Sequence, residues 1–498
     1  MRPIFAGGGY RLSRRPLHIV TVSSEVHPFA KTGGLADVAG ALPQALARLG
    51  HRCTMILPGY QKIDLRKYHV AETGQTVTCT IEHTSHSVKI LRSDHLPGIT
   101  SFFLDHPVFS DRPELYGTSL GDYPDNAFRF SLFCRAAMEL IESWEHPSNV
   151  VHCHDWQAGL IPALIKCSAA ADPVWEKVKT VFTIHNLAYQ GLFPKEQYAM
   201  TGLPGSCFGL DGLEFYGQVN FLKGGIFFAD RLTTVSPTYA REILTPEQGF
   251  QLDGALKSRE NILTGIINGI DYREWDPAAD KYLTLNYDPD RITNKNTLKR
   301  ILYKKLGLVH SGNRPLLAMV TRLAGQKGCD LVLEAVDELV ELGCDLAVLG
   351  TGEQRYHDAF EKKKRLYPQN FGLSLGFDPA LSHLMYAGSD MFLMPSLYEP
   401  CGLGQMIALR YGSIPVARRT GGLADTIVDY QPLSADSNGF LFDGFNSPEM
   451  IAAVKKALWV YRSRDKWGQL IRQAMSGDFS WDQSAIKYQE LYYSLLQE

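Results

Sequence analysis

Two α/β domains in tandem, each built on a doubly wound parallel sheet, are predicted by three observations on this sequence. Its 498 residues, 45% hydrophobic and 21% charged, suit two or three domains at roughly 100 to 200 residues each, every one large enough to bury its own core. Short β-branched runs alternate with longer helical stretches, and the alternation restarts in the second half of the chain. A six-residue segment, Thr32-Gly33-Gly34-Leu35-Ala36-Asp37, recurs letter for letter as Thr420-Gly421-Gly422-Leu423-Ala424-Asp425, each copy opening a predicted helix.

The first alternation begins with a strand at Leu17–Val22, a helix over Ala36–Leu49 and a strand at Cys53–Leu57, which together make a βαβ unit. Strands follow at Val150–Cys153, Val181–Ile184 and Leu232–Val235, with a helix starting near Ala158 between the first two. Their uninterrupted apolar character is that of parallel strands buried on both faces. The second alternation runs through strands at Leu316–Val320, Leu346–Leu349, Leu373–Leu375, Met391–Met394 and Ile414–Ala417, with a helix over Asp330–Leu342. Between the two, Asp276 to Arg291 has no sustained period and carries Pro277 and Pro289 near its ends, so it reads as a loop near the linker. The boundary is placed near residue 265, giving domains over 16–264 and 265–478 with a cleft between them. Residues 1–15, with Arg2, Arg11, Arg14 and Arg15 and no acid, read as a flexible N-terminal extension.

Composition excludes several functions. Fifty Lys plus Arg against fifty-three Asp plus Glu leave a net charge of -3, so there is no global basic field for nucleic acid or an acidic membrane surface. No apolar run approaches the roughly 18 residues that span a bilayer. The nine cysteines are scattered without a Cys-x-x-Cys pair, the usage of a reducing compartment.

Each Gly-Gly repeat offers backbone N–H groups and the positive end of a helix to an anion. Alone, one copy could equally be a tight strand-to-helix turn; two copies, at the strand ends of two facing sheets, favour one ligand gripped between them, such as a nucleoside diphosphate conjugate. Arg322 and Lys327 follow the strand Leu316–Val320, where an arginine fork and a lysine point charge suit a departing diphosphate. Glu399 follows the strand Met391–Met394 and precedes a helix, so it either holds sugar hydroxyls or satisfies the helix start. Neighbouring Cys401 reads as a small buried residue before a nucleophile. His152-Cys153-His154-Asp155 has histidines on one strand face, but no third ligand follows at metal-site spacing, and Asp155 or His154 reaching a ligand explains the placement equally well. His185 ends the strand Val181–Ile184 in the same manner. Gly350-Thr351-Gly352 lacks the third glycine of a dinucleotide fingerprint, and Asp288-Pro289-Asp290, in the irregular stretch, reads as a solvated turn.

Taken together, Lys31-Thr32-Gly33-Gly34-Leu35, His152 to Gly159, Phe182 to Gly191, Ile267-Asn268-Gly269-Ile270-Asp271, Glu399-Pro400-Cys401-Gly402-Leu403 and Thr420-Gly421-Gly422-Leu423 stand in the order of one known family. After residue 16 nearly the whole chain resembles the bacterial-type glycogen synthases and starch synthases that use ADP-glucose. The resemblance implies the GT-B glycosyltransferase fold, two Rossmann-like domains facing an interdomain cleft, with the terminal segment 479–498 a helix crossing back onto the N-terminal domain. It implies transfer of glucose from ADP-glucose to the non-reducing end of an α-1,4-glucan with retained configuration, no metal or other cofactor, and no nucleic-acid or membrane partner.

Carried over position by position, the resemblance gives Glu399, Arg322, Lys327, His185 and Asp155 catalytic roles. The donor is held by Lys31, Gly33, Gly34, Asn268, Arg322, Lys327, Phe377, Cys401, Gly402, Leu403, Thr420, Gly421 and Gly422, with Phe377 stacking on adenine. Tyr116 and Asp37 are assigned to the acceptor sugar. Phe377 stands where the family commonly has tyrosine, and Gly404 where it often has Thr or Ile. Ile407 replaces the second glutamate of related transferases, which leaves Glu399 as the carboxylate of this segment. The alternatives are a UDP-sugar-dependent transferase or epimerase of the same fold, and a non-catalytic glucan-binding protein. The expected location is the cytoplasm, with a plastid as the alternative.

Overall fold

The computed structural model describes residues 15–118, 121–146, 148–169, 172–312, 314–432, 434 and 436–497. All but Arg15 of the expected N-terminal extension lies outside them. The chain divides into two compact units. The first comprises the described residues through Phe182, then Tyr189–Arg231 and the chain from Gln489; the second comprises Thr183–Ala188 and Leu232–Tyr488.

The first unit is built on strands β1 (His18–Val22), β2 (Arg52–Pro58), β3 (Ala71–Ile81), β4 (Thr84–Ser93), β5 (Ile99–Asp105), β6 (Val150–His154) and β7 (Lys179–Ile184), of which Thr183 and Ile184 fall in the second unit. They lie in the order β7-β6-β1-β2-β5-β4-β3. β1 pairs in parallel with β2 and with β6, placing Ile19 between Cys53 and Val150. Every residue of β1 and β6 is buried, the burial expected of strands covered on both faces. Helix α1 (Gly34–Arg48) returns the chain from β1 to β2 and buries Leu35, Val38, Ala39, Leu42 and Leu46. The antiparallel extension β3–β4–β5 was not expected from the sequence. β3 alternates buried and exposed residues only in its second half and carries a register irregularity between Glu72 and Thr76. A search for unbroken apolar runs passes over such a strand. From Gln489 onward the terminal helix Trp481–Leu495 belongs to this unit, where the Tyr492 hydroxyl pairs with His152 Nδ1 at 2.8 Å.

In the second unit β8 (Arg231–Thr234) runs parallel to β9 (Leu263–Gly265), and the Thr234 hydroxyl donates to the Ile184 carbonyl at the end of β7. Six further strands form one parallel sheet: β10 (Leu316–Val320), β11 (Asp345–Gly350), β12 (Phe371–Leu375), β13 (Met391–Met394), β14 (Ile414–Arg418) and β15 (Phe440–Phe442). Their order is β12-β11-β10-β13-β14-β15, so the winding reverses between β10 and β13. In each unit the shared strands lie within two residues of the sequence reading.

The irregular stretch before this sheet has no helix or strand, as expected, yet it is firmly built in. The Asp280 carboxylate accepts from the Tyr411 hydroxyl at 2.6 Å and pairs with His383 Nδ1 at 2.7 Å. The Trp275 ring stacks on His383 with centroids 4.0 Å apart, and the Tyr287 hydroxyl donates to the Tyr411 carbonyl. Burial alone would raise the Asp280 carboxyl. Hydrogen bonds from His383, Tyr411 and the Tyr282 N–H outweigh it and hold the group below the ordinary carboxylate range. Asp288 forms the expected exposed turn, accepting from the Asp290 and Arg291 N–H groups and pairing with the Arg291 side chain. Among the described residues no helix is long and apolar enough to cross a membrane.

Tyr411→Phe removes one donor from a buried carboxylate and is expected to destabilise the protein by about 1 to 3 kcal/mol. The check is a lowered urea midpoint with the m-value unchanged; an unaltered midpoint would show that the network does not hold this stretch.

Candidate functional site

Open α/β sheets bind ligands beyond the carboxyl ends of their strands, where the winding reverses. In the first unit that place lies between β1 and β6. The loop after β1 carries Glu25, which is buried, and then Lys31 to Gly34, which are exposed. The Glu25 carboxylate accepts from the Thr32 N–H at 2.5 Å, the Thr32 hydroxyl at 2.6 Å, the Gly33 N–H at 3.1 Å and the Tyr116 hydroxyl at 2.7 Å. The sequence reading did not single out this glutamate. Its signal was an acidic residue just past a buried strand, where nothing local explains a charge that burial makes costly.

Lys31 pairs with Asp37 at 2.6 Å on the exposed side of the loop. A side chain added at Gly33 or Gly34 would meet nothing within 4 Å, and no side chain caps the start of α1. The helix start is therefore open to an anion. Glu25 thus gathers Thr32, Gly33 and Tyr116, with Lys31 and Asp37 beside them. Across the reversal, Asp155 follows β6 as the first residue of the short helix Asp155–Ala158, buried, with φ of 54°. That left-handed conformation is uncommon for any residue but glycine and is typical of residues held for function. The rings of His152 and His154 have centroids 4.2 Å apart and are tilted by 31° to each other. Among the described residues no group of three or more His, Cys, Asp or Glu side chains is arranged to hold a metal ion.

In the second unit the reversal lies between β10 and β13. Lys327 follows β10 and Glu399 follows β13, and the lysine Nζ lies 2.8 Å and 2.7 Å from the two carboxylate oxygens. The Ser396 hydroxyl donates a further bond to Glu399. With the Glu399 side chain 7% exposed and that of Lys327 20% exposed, this is a largely desolvated pair whose partners depend on each other. Arg322 is exposed on the same turn; its Nη2 donates to Gln326 Oε1, and Gln326 Nε2 donates to the Tyr398 carbonyl. The two strand-end segments are thereby tied together.

Asn268 sits against Cys401, and burial, only partly offset by hydrogen bonds from Asn268, pushes the Cys401 thiol up to about 12. Cys401 is accordingly a protonated packing residue and not a nucleophile. The Asn268 Oδ1 atom is buried without a hydrogen-bond partner. Gly402 and Leu403 precede the helix Gly404–Arg410, whose start no side chain caps. Phe377, just past β12, is 89% exposed.

The second Thr-Gly-Gly copy differs from the first. Its Thr420 hydroxyl and Gly421 N–H donate to the Glu242 carboxylate, and its Gly422 N–H donates to the Glu399 and Pro400 carbonyls. In both copies a glutamate takes the threonine hydroxyl and the first glycine N–H, Glu25 in the first and Glu242 in the second, and only in the first does the second glycine face open space.

His185 ends β7 and is buried, and that burial pushes its imidazole down to about 3. It is neutral at physiological pH and can exchange hydrogen bonds without carrying charge.

Family models match both parts of the chain: the starch synthase catalytic domain over residues 18–258 and the glycosyl transferases group 1 model over residues 305–474. A glycogen synthase of Syntrophotalea carbinolica is 47% identical over 476 residues, which cover 96% of this chain and 98% of that protein. One of Geotalea daltonii is 45% identical with the same coverage. The solved catalytic domain of starch synthase IV from Arabidopsis thaliana, bound to ADP and acarbose, superimposes with a TM-score of 0.90 at 35% identity, covering 97% of this chain and all of that one. The sucrose-phosphate synthase of Thermosynechococcus elongatus, at 16% identity and a TM-score of 0.58, shares the fold.

Because the unfolded chain takes up a proton on His185 near pH 6.5 that the folded chain refuses until about 3, stability is lost as pH falls through that window. The expected result is a melting temperature that declines less steeply from pH 6.5 to 4 in His185→Gln than in the parent. Parallel declines would exclude a buried neutral imidazole.

Proposed function

The chain belongs to the glycogen and starch synthase family of GT-B glycosyltransferases, and from that premise we propose that its donor is ADP-glucose, transferred to the 4-hydroxyl at the non-reducing end of an α-1,4-glucan with the α configuration retained. The observation that carries this reading is the Lys327–Glu399 pair at the reversal of the second sheet, with Arg322 beside it. A cation that neutralises a departing diphosphate and a carboxylate that orients the sugar are thereby held in one rigid unit.

The main chemical demand is charge. As the bond from the glucosyl C1 to the diphosphate breaks, its electron pair goes to ADP, and the sugar gains oxocarbenium character. Lys327 and Arg322 counter the charge on the leaving group. Lys31 and the open start of α1 at Gly34 offer a further anion site, and Gly33, Gly402 and Leu403 line the donor. The acceptor oxygen bonds to C1 and gives its proton to the leaving phosphate. Double displacement of the hydrolase kind would need a second carboxylate about 5 Å from Glu399, whereas the groups that grip Glu399 are Lys327 and Ser396.

Glu399 orients the glucose, and neutral His185 and buried Asp155 line the sugar. The unpartnered Asn268 Oδ1 accepts from a sugar hydroxyl. Cys401 packs beneath the donor as a neutral thiol. Phe377, exposed after β12, stacks on adenine, consistent with the ADP in the Arabidopsis enzyme. Tyr116 and Asp37 serve the acceptor side. The proposal needs no metal or other cofactor, since the chain's own cations supply the charge. The proposed location is the cytoplasm, which suits nine unpaired cysteines.

The test is nucleoside diphosphate release from ADP-glucose and from UDP-glucose, each with and without maltooligosaccharide and without added metal, with product lengths read by mass spectrometry. The expected result is glucan-dependent ADP release and ladders extended by single hexoses. Release from UDP-glucose alone would overturn the donor assignment, and a requirement for added divalent metal would overturn the metal-free reading.

Lys327→Ala is expected to lower turnover by about 10²- to 10³-fold. By leaving Glu399 buried without its cation, it should also destabilise the protein by roughly 3 kcal/mol. Turnover of the folded variant, verified by circular dichroism, is the check; undiminished turnover removes the role assigned to Lys327.

A further inference from the structure

Two identical hexapeptides in one chain invite a single role, and their surroundings show two. Where Gly33 and Gly34 face open space, a Cβ at Gly421 would overlap the Glu399 carbonyl oxygen, and one at Gly422 would stand 2.6 Å from the Cys401 Cα and overlap the Cys401 carbonyl. The second pair is glycine because the main chain of Glu399 to Cys401 lies directly against it. The same segment is bonded to that loop: the Gly422 N–H donates to the Glu399 and Pro400 carbonyls at 3.1 and 3.2 Å. Gln405 Nε2 bridges the Cys401 and Gly402 carbonyls to the Thr426 hydroxyl, which donates in turn to the Gly422 carbonyl.

The segment is fixed from behind by the helix Pro237–Glu242, also in the second unit. The Glu242 carboxylate accepts from the Thr420 hydroxyl at 3.0 Å and from the Gly421 N–H at 3.0 and 3.1 Å. In return, Asp425 accepts from the Thr238 N–H at 2.8 Å and the Thr238 hydroxyl at 2.6 Å. Each short helix thus carries the carboxylate that satisfies the other's first turn. In both copies a phosphate would have to displace a glutamate to use the threonine hydroxyl and the first glycine N–H, Glu25 in the first and Glu242 in the second; the difference is the second glycine, for Gly34 faces open space whereas the Gly422 N–H is taken by the Glu399 and Pro400 carbonyls.

We propose that Glu242 is a positioning residue that, through Thr420 and Gly421, holds the second Thr-Gly-Gly segment against the Glu399–Cys401 main chain and so keeps the Glu399 carboxylate in place, and that this segment does not bind the donor diphosphate. The inference rests on the role given to Glu399 above. Its signature is a loss of turnover without a loss of donor affinity, because a misplaced Glu399 impairs the reaction while the phosphate contacts survive.

The experiment is steady-state kinetics on the full chain with ADP-glucose and maltooligosaccharide, together with the Kd for ADP by calorimetry. The variants are Glu242→Ala, Glu242→Gln, Thr420→Val and Gly34→Ala. The expected result for Glu242→Ala is a kcat lowered roughly 10- to 100-fold, as for a displacement of about 1 Å at a reacting group, with donor KM and ADP Kd within about twofold of the parent by the same split. Glu242→Gln, which keeps an acceptor for the Gly421 N–H, restores most of the turnover. Thr420→Val, nearly the same shape, repeats the kcat loss in milder form and serves if Glu242→Ala does not fold. Gly34→Ala, by contrast, raises donor KM and ADP Kd. Weakened ADP binding at unchanged kcat in Glu242→Ala or Thr420→Val would overturn the proposal, and so would parental kinetics in both. Glu399→Gln separates the two layers: full turnover there would show that the reading of Glu399 is wrong, whereas loss of turnover there alongside parental Glu242→Ala kinetics would show that the positioning role alone is wrong.

Discussion

A carboxylate withdrawn from water keeps its charge only if a cation and hydrogen-bond donors come with it, and the ion pair of Glu399 with Lys327 is where the second unit meets that requirement. Both carboxylate oxygens face the ammonium, and Ser396 supplies a further donor. Because the pair is largely desolvated, neither partner can be misplaced without leaving the other as an uncompensated buried charge. The geometry therefore demands that β10 and β13 lie side by side although more than seventy residues separate Lys327 from Glu399 in sequence. The reversal of strand order is the topological form of that demand, and the Gln326 bridge to the Tyr398 carbonyl carries it into the loops.

The same constraint explains how the two Gly-Gly segments differ. A glutamate satisfies the first groups of each: Glu25 comes from seven residues upstream of Thr32, and Glu242 from a helix 178 residues from Thr420. In the first unit the glutamate settles the loop while Gly33, Gly34 and Lys31 stay exposed. In the second, the loop it settles is pressed onto the main chain of the residue that the ion pair holds. A polar backbone group away from water needs a partner, and in the second copy every such partner comes from the protein.

The burial that forces Glu399 to pair acts on other polar groups by changing their charge state. His185 is held neutral and Cys401 protonated, so neither brings a charge to its surroundings. Asp155 is placed by a left-handed backbone in a short helix start. The irregular stretch around Asp280 shows a third response, in which a buried carboxylate collects donors from His383, Tyr411 and a backbone N–H. That network gives a segment without helix or strand a fixed course, so the chain enters the second sheet from a built support.

Read alone, the sequence determined the two doubly wound sheets, ten of the fifteen strands labelled above, and the identity of Lys31, Arg322, Lys327, Glu399 and His185 as polar residues beyond strand ends. Those features are written locally: apolar runs specify buried strands, and a charge just beyond one has no local reason to be there. The repeated hexapeptide was legible as letters but not as environments, since only tertiary packing decides whether a glycine faces open space or another stretch of main chain. Glu242 escaped notice because its partners lie 178 and 179 residues away, and Glu25, although just past a buried strand, was passed over in favour of the lysine and glycines that follow it. The β3–β5 extension escaped because a half-exposed strand lacks an unbroken apolar run. Spacing along the chain sets which elements form; the tertiary structure decided which carboxylate meets which donor, because those pairs are separated by up to 187 residues and only the fold closes the distance.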